Sequence, residues 1–429
     1  MVLHFPQEII SHRTKGIPGG TAPFPLADIA GKNWNALSGN MPSPIAIIRE
    51  PVLARNADWM KQFCALHAVS LAPHGKTTMS PKIFDRQLES GAWAITLSTA
   101  HQVQAARDFG VPRILIANQV VDPAFLDFLT AELDRDDQFD LLLLVDSRAG
   151  LQFLLDRFAK KPWRRPLGVL IEIGASGGRT GMRQVGDAVA LAQEIAGYPE
   201  VLALRGIEGF EGIYAGTGKD ILAKVDALLA NVVAAAQKVD RDGLFSGEIV
   251  LSAGGSSFFD RVLAAFSPVT LSLPVRIVLR SGCYVAHDAR MYADYFAALG
   301  ARVPTGYLPP GHLEPALSVL ARVQSMPEPG QALLTAGKRD LSFDVHMPQA
   351  THYWREGMKR QPAPLGDGYE IYALADQHSF LRVPADTPLR VGDVVMLGIS
   401  HPCTTFDKWD VLYGVDDDFT IRDAYKTYF

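Results

Sequence analysis

"AVSLAPHGKTTMSPKIFDRQLESGA", residues 68–92, opens with a short apolar run, turns through a glycine and a lysine, and ends in a helix-like stretch. Gly75-Lys76-Thr77-Thr78 looks like the end of a phosphate-binding P-loop, but that motif needs a glycine five residues earlier, where Ser70 stands. Pro73 also removes one of the backbone N–H groups such a loop would offer. "AVSLAP" (68–73) is better read as a strand. "SPKIFDRQLESGA" is better read as a helix with Ser80 as N-cap and Pro81 at its first position. Lys76 then lies just past the carboxyl end of a strand, in a strand-to-helix loop.

The same unit recurs along the chain. Strand-like runs follow at "AWAITLS" (92–98), "RILIAN" (113–118), "FDLLLLVDS" (139–147), "LGVLIEIG" (167–174), "LALRGIEGF" (202–210), "EIVLSAGG" (248–255) and "VRIVLRSG" (275–282). Helix-like stretches separate them, such as "AHQVQAARDFG", ended by Gly110, and "DAVALAQEIAGYP", ended by Gly197 and Pro199. Eight strands alternating with helices over about 220 residues have the size of a (β/α)8 barrel. An open doubly wound sheet uses similar units. After residue 300 prolines and glycines become dense, and short strand-like runs replace helices: "ALSVLARVQSM", "QALLTAG", "YEIYALADQ", "SFLRVP", "DVVMLGIS" and "WDVLYGVD". These predict a β domain, which "SPIAIIRE" (43–50) could join as a further strand. The expected organisation is α/β plus β. Residues 1–60 form an N-terminal segment partly packing with the β domain, 61–298 a TIM-type (β/α)8 barrel, and 299–429 a C-terminal β domain.

The composition suits a soluble enzyme. The chain has 429 residues, 48% hydrophobic and 20% charged, with a formal net charge of −5. No basic stripe suggests nucleic acid, and mild acidity predicts no attraction to membranes. "MVLHFPQEIISHRTKG" has no apolar core of a signal peptide, and no run approaches the ~20 residues that span a bilayer. A cytoplasmic enzyme is the default expectation. Cys64, Cys283 and Cys403 are too few and too scattered for a disulfide framework.

Barrel enzymes act from the loops after their strands, with phosphate often held after the seventh and eighth. Those loops read "SAGGSS" (252–257) and "RSGCY" (280–284). Gly254 and Gly255 allow close approach of backbone amides, Ser256 and Ser257 add hydroxyls, and a helix-like "FFDRVLAAF" follows. Two ordinary glycine turns are the plain alternative. A phosphate there, with Lys76 after the adjacent first strand, suggests that Lys76 bonds the aldehyde of pyridoxal 5'-phosphate. "GASGGRTGMR" supplies Arg179 as a planar charge for the cofactor ring, or else as a solvated loop arginine. In "SHPCTTFDKWD" (400–410), His401 and Cys403 are two apart, so on a strand both would face one way and could grip a borderline cation. A core cysteine beside an incidental histidine is the alternative. His378, in "DQHSF", could face the same space or serve structurally.

In order along the chain, "PHGKTTMSP", "GGRTGMR", "SAGGSS", "RSGCYVAHD", "DQHSF" and "HPCTTFDKW" resemble the D-serine dehydratase and D-threonine aldolase group of fold type III pyridoxal-phosphate enzymes, with an alanine-racemase-like N-terminal part. The resemblance implies that Lys76 is the Schiff-base lysine and that Arg179 serves the cofactor. It implies that the region of Gly254, Gly255, Ser256, Gly282 and Tyr284 holds the phosphate, and that His401 and Cys403 bind a divalent metal. Zinc is expected first, with manganese or magnesium as alternatives. Within the group H-x-C is the dehydratase pattern and H-x-D the aldolase one, so Cys403 implies loss of water and ammonia from a D-3-hydroxy amino acid such as D-serine. A 3-hydroxy-D-amino acid aldolase is the alternative, and a non-catalytic pyridoxal-phosphate protein a second one. A homodimer is expected. Relatives commonly carry a tyrosine near the end of the sixth strand, where this chain has Phe210, and Tyr214 is the available substitute.

Overall fold

The computed structural model describes residues 3–358 and 361–429. All eight expected runs form parallel strands: β1 (Ser70–Leu71), β2 (Ile95–Leu97), β3 (Arg113–Gln119), β4 (Asp140–Val145), β5 (Leu167–Ile173), β6 (Leu202–Gly209), β7 (Ile249–Ala253) and β8 (Val275–Leu279). They pair in sequence order from β2 to β8, and β8 then pairs with β1. The ring closes where His74, just past β1, bridges in parallel to Thr96 of β2. Two hydrogen bonds support that closure, Trp93 N–H to Leu71 O at 2.7 Å and Thr96 N–H to Pro73 O at 2.9 Å. The architecture is a (β/α)8 barrel, not an open sheet.

Strand alternation separates two sets of side chains. Outward residues such as Val169, Ile171, Ile207, Leu251 and Leu279 join the large core beneath the helices. Inward ones, including Leu115, Leu142, Leu170, Val250 and Val278, fill the barrel. The first crossover helix, Pro81–Glu89, begins with Pro81 at its first turn as expected. Ser80 stands at its N-cap position, but its hydroxyl is buried and makes no capping bond. Ala100–Asp108 is capped by Thr99, which accepts from Gln102 N–H at 3.4 Å, and its exit passes through Gly110 at φ +84°. No helix among the described residues is long and apolar enough to cross a membrane.

The C-terminal strands are β9 (Leu317–Glu328), β10 (Gln331–Leu334), β11 (Gln349–Trp354), β12 (Glu370–Leu374), β13 (Ser379–Arg382), β14 (Val394–Gly398), β15 (Val411–Val415) and β16 (Ile421–Lys426). The long β9 pairs antiparallel with β10, with β14 and with the N-terminal strand Ile45–Arg49. That N-terminal strand pairs in parallel with β15 on its other side, so "SPIAIIRE" does complete the C-terminal sheet. β14 ends against the barrel. A Cβ on Gly398 would lie 2.7 Å from Cβ of Ala289, and Ala289 N–H donates to Ile399 O at 2.9 Å. The segment that follows β14 is thereby delivered to the barrel mouth.

Candidate active site

At the carboxyl end of the barrel the inward register turns polar. Two residues beyond Leu170, Gly206, Val250 and Val278 come Glu172, Glu208, Ser252 and Arg280, all buried. Glu172 and Ser252 flank Glu208 in register. Glu172 accepts from Gln119 Nε2 at 2.5 Å and from Thr180 Oγ1 at 2.9 Å. Arg280 is ion-paired to Glu208 Oε2 and donates to Gly209 O at 2.8 Å. Glu208 Oε1 is buried with no partner. Burial pushes the Glu208 carboxyl up to about 7, with Arg280 only partly opposing it and Glu172 adding to it.

Above this floor lies a cavity of about 510 Å3. Gly75-Lys76-Thr77 makes a single tight turn after β1. A side chain at 75 would sit 2.9 Å from Ile95 and Phe84, so glycine brings the turn close to the barrel wall. Lys76 is exposed between the buried Gly75 and Thr77, lines the cavity, and has no ion pair or hydrogen-bond partner among the described residues. Beside it His74 presents Nε2 to Ser98 Oγ at 3.2 Å, while its Nδ1 is buried without a partner. Burial, then the charges of Lys76, Arg280 and Arg179, hold the His74 imidazole neutral, well below its usual range.

Gly255, Ser256 and Gly282 line the same cavity. A Cβ on Gly282 would meet His74 O at 2.5 Å and Thr77 Oγ1 at 2.9 Å, so the two loops approach to backbone contact. Gly254 and Tyr284 depart from expectation and do not line it. Gly254, at φ +97°, donates its N–H to Glu211 Oε2 at 3.0 Å, and Gly255 donates to Glu211 Oε1 at 2.7 Å. Both amides expected to meet an anion are therefore taken by a buried carboxyl of the chain itself, while Ser256 and Ser257 line the cavity, the Ser256 hydroxyl accepting from Cys283 N–H at 3.3 Å. Tyr284 is turned away into the core against Gln87, where burial raises its phenol above the usual range.

Arg179 sits in a loop that braces itself. Gly181 N–H donates to Asp146 Oδ2 at 2.9 Å, and Arg183 donates to the carbonyls of Thr180 at 2.7 Å and Arg179 at 2.8 Å. The Arg179 guanidinium carbon lies 5.0 Å from the centroid of the Phe210 ring, and both residues line the cavity. Tyr214 does not line it and so supplies no substitute hydroxyl there.

His401 and Cys403 both reach the cavity, but not from a strand. β14 has ended, His401 adopts φ +67°, and Cys403 begins the short helix Cys403–Phe406. The strand-face argument is thus replaced by a turn. Its unusual φ is held by Asp288, whose Oδ2 accepts His401 N–H at 2.9 Å. His401 donates from Nδ1 to Asp344 Oδ2 at 2.6 Å, which leaves Nε2 as the ring nitrogen without a hydrogen-bond partner among the described residues. Burial works against the Asp344 charge, yet the Thr404 and His401 hydrogen bonds hold it below the usual carboxylate range. Cys403 Sγ lies 3.8 Å from Cys283 Sγ and 3.5 Å from Thr77 Oγ1. The Cys283 hydrogen bond, with help from Thr77 and Lys76, lowers the Cys403 thiol against the effect of burial. Among the described residues no three His, Cys, Asp or Glu side chains converge as a metal-binding group. The donor pair is an imidazole and a thiol. His378 lies outside the cavity lining.

Glu172 and Glu208 had a legible signal: each is the only acid in its strand. Arg280 directly follows the last barrel strand. Glu211, Cys283 and Asp344 carried none, because their roles depend on which distant loop each one faces.

Residues 316–415 match the family described as "Putative serine dehydratase domain", a span that contains His401 and Cys403. The chain is 26% identical over 377 residues to a 3-hydroxy-D-aspartate aldolase of Paracoccus denitrificans (strain Pd 1222), covering 87% of this chain and 88% of that one. It is 27% identical over 362 residues to a D-threonine aldolase of Arthrobacter sp, covering 83% and 85%. Among solved structures, a D-threonine aldolase from Filomicrobium marinum superposes with a TM-score of 0.73 at 24% identity, covering 92% of this chain and 97% of that one. A D-threo-3-hydroxyaspartate dehydratase from Delftia sp. HT23 does so at 0.69 and 23%, covering 90% and 97%. The resemblance drawn from the motifs is borne out, and the structural likeness extends over both the barrel and the C-terminal sheet.

Proposed function

We propose that this chain is a pyridoxal 5'-phosphate-dependent lyase that, with a divalent metal, eliminates water and then ammonia from a D-3-hydroxy amino acid, D-serine being the simplest. The observation that carries the reading is one cavity joining an unpaired lysine, two glycine-serine loops and an imidazole–thiol pair. The residues suit the cofactor. Lys76 offers a free amine, Ser256 and Ser257 offer hydroxyls beside the bare Gly255 and Gly282, and Arg179 brings a fixed positive charge. They also suit a borderline cation, since His401 keeps Nε2 free and the Cys403 thiol is eased toward its thiolate. When bound, the cofactor supplies an electron sink for the α-carbon and the metal a Lewis acid for the β-oxygen.

The chain's own groups do the rest. Lys76 Nζ would hold the cofactor through its aldehyde, and its amine is the group placed to take the α-proton. His401 is oriented by Asp344 and Cys403 is braced by Thr77, so both donors are fixed before substrate enters. Phe210 carries no titratable group, so it offers no second acid or base at the place where relatives commonly carry a tyrosine. That favours reaction of D-substrates without racemisation.

Aldol cleavage is the second reading, favoured by the names of the two curated relatives, both aldolases. Protein loaded with pyridoxal 5'-phosphate and zinc or manganese, incubated with D-serine, D-threonine and D-threo-3-hydroxyaspartate, separates the two. Keto acid and ammonia support elimination. Glycine with an aldehyde or aldehyde acid supports cleavage, and no turnover of any D-3-hydroxy acid overturns both.

A further inference from the structure

The chain has three cysteines, and two of them meet. Cys283 comes from the loop after β8, in the turn Cys283–Val285, and Cys403 from the C-terminal domain at the head of a short helix. Their sulfurs are 3.8 Å apart, and Thr77 Oγ1 lies 3.6 Å from the first and 3.5 Å from the second. Both line the cavity that holds Lys76, whereas Cys64 does not. In the proposed lyase chemistry Cys283 acts only through its hydrogen bond to Cys403. We infer that Cys283 and Cys403 form a paired-thiol site that closes to a disulfide within one chain when the cavity admits a hydroperoxide.

The geometry supplies what the reaction needs. A disulfide requires sulfurs about 2.05 Å apart, so the 3.8 Å separation must close by about 1.8 Å. Cys403 is partly exposed and Cys283 is buried, so the peroxide meets Cys403 first. The Cys403 sulfur attacks one peroxide oxygen, the O–O bond breaks, and a sulfenic acid and water result. The Cys283 sulfur then attacks the Cys403 sulfur, the S–O bond breaks, and the S–S bond forms with release of a second water. The two thiols together lose two electrons and two protons, and one hydrogen peroxide becomes two waters. The new bond would fasten the last barrel loop to the C-terminal sheet across the cavity and consume the Cys403 sulfur. Only that last consequence, loss of a metal donor, rests on the function proposed above.

The experiment treats the purified full chain with hydrogen peroxide and counts thiols after denaturation. Free thiols are expected to fall from three to one. Trypsin digestion should release residues 281–290 joined to 391–408, lighter by two hydrogens than the separate peptides, and a reductant should restore all three thiols. Phenylarsine oxide, which bridges two close thiols, should protect the same pair in the wild type and leave Cys403 unprotected in Cys283→Ser. Persistence of all three thiols overturns the inference. So does their loss as sulfinic or sulfonic acid on unlinked peptides, or a linkage between two chains on a non-reducing gel. Zinc content measured on the oxidised protein separates this inference from the proposed function: a linked peptide formed with zinc binding unchanged upholds the thiol pair and removes Cys403 from the metal site.

Discussion

Glu211 is the residue on which the Gly254–Ser257 loop is anchored. Its two carboxyl oxygens accept from Gly254 N–H at 3.0 Å and Gly255 N–H at 2.7 Å, and the side chain is fully buried. Glu211→Ala removes both acceptors. Hydrogen bonds to a charged group are worth about 1.5–3 kcal/mol each. The Gly254 amide is buried and would find no water, while the Gly255 amide borders the cavity and can be rehydrated. A net loss of about 3–4 kcal/mol of unfolding free energy follows. Glu211→Gln keeps one acceptor and turns an NH2 toward the other amide, so a loss of about 2 kcal/mol is expected. The same bonds hold Gly255, Ser256 and Ser257 against the cavity. Each 1.4 kcal/mol spent recovering that arrangement weakens phosphate binding about tenfold. Urea unfolding of the cofactor-free protein measures the first effect. Titration with pyridoxal 5'-phosphate, and in parallel with pyridoxal, measures the second. Glu211→Gln should weaken the phosphate ester roughly 10- to 100-fold and pyridoxal far less. Wild-type stability and affinity in both variants would refute the argument, as would equal losses for the two ligands, which would mean that Glu211 acts on the ring and not on the phosphate loop.

Other consequences follow from the same cavity. Borohydride reduction of protein loaded with pyridoxal 5'-phosphate should fix a pyridoxyl group on Lys76, and peptide mapping that finds the label on another lysine would displace Lys76 from its assigned role. Cys403→Ala should retain cofactor absorbance while losing bound zinc and turnover together; a zinc-free variant that still turns over would show that the imidazole–thiol pair is not catalytic. Glu208 bears on pH. Its carboxyl is held near 7, above the ordinary 4.5, so the folded chain binds more protons than the unfolded one across that interval. The group's contribution is fully present below pH 4.5 and is lost as pH rises through about 7, by at most about 3 kcal/mol at 1.36 kcal/mol per pH. Glu208→Gln should flatten that part of the stability–pH profile between pH 5 and 8, measured by urea unfolding, and superimposable profiles would refute the titration.

The barrel was legible from its strands because each buries side chains on both faces, and a run such as "LLLLV" or "VLIEI" has few other uses. Two of the longer strands escaped notice, Gln349–Trp354 and Ile421–Lys426. "QATHYW" and "IRDAYK" carry polar residues on a half-exposed face, and pairing partners far along the chain, not local pattern, make them strands. Lys76 could be placed at a strand end because a turn's position depends on its immediate neighbours. The H-x-C pair could be noticed, but its setting could not: spacing on a strand suggested one face, and the chain instead turns at His401, held there by Asp288 from the barrel.

Local residue order therefore determined the elements, the lysine and the loops in which chemistry was expected. Only the tertiary structure decided which loop amides were already occupied, because Glu211 reaches Gly254 and Gly255 across 43 and 44 positions of chain. It likewise decided that Tyr284 faces the core and that Cys283 meets Cys403 across 120 positions. The physical reason is one of range. Backbone conformation and strand periodicity arise from contacts a few residues apart, whereas the partner of a hydrogen-bonding or sulfur atom is set by the closure of the barrel and the docking of the β sheet upon it, which no short window of residues contains.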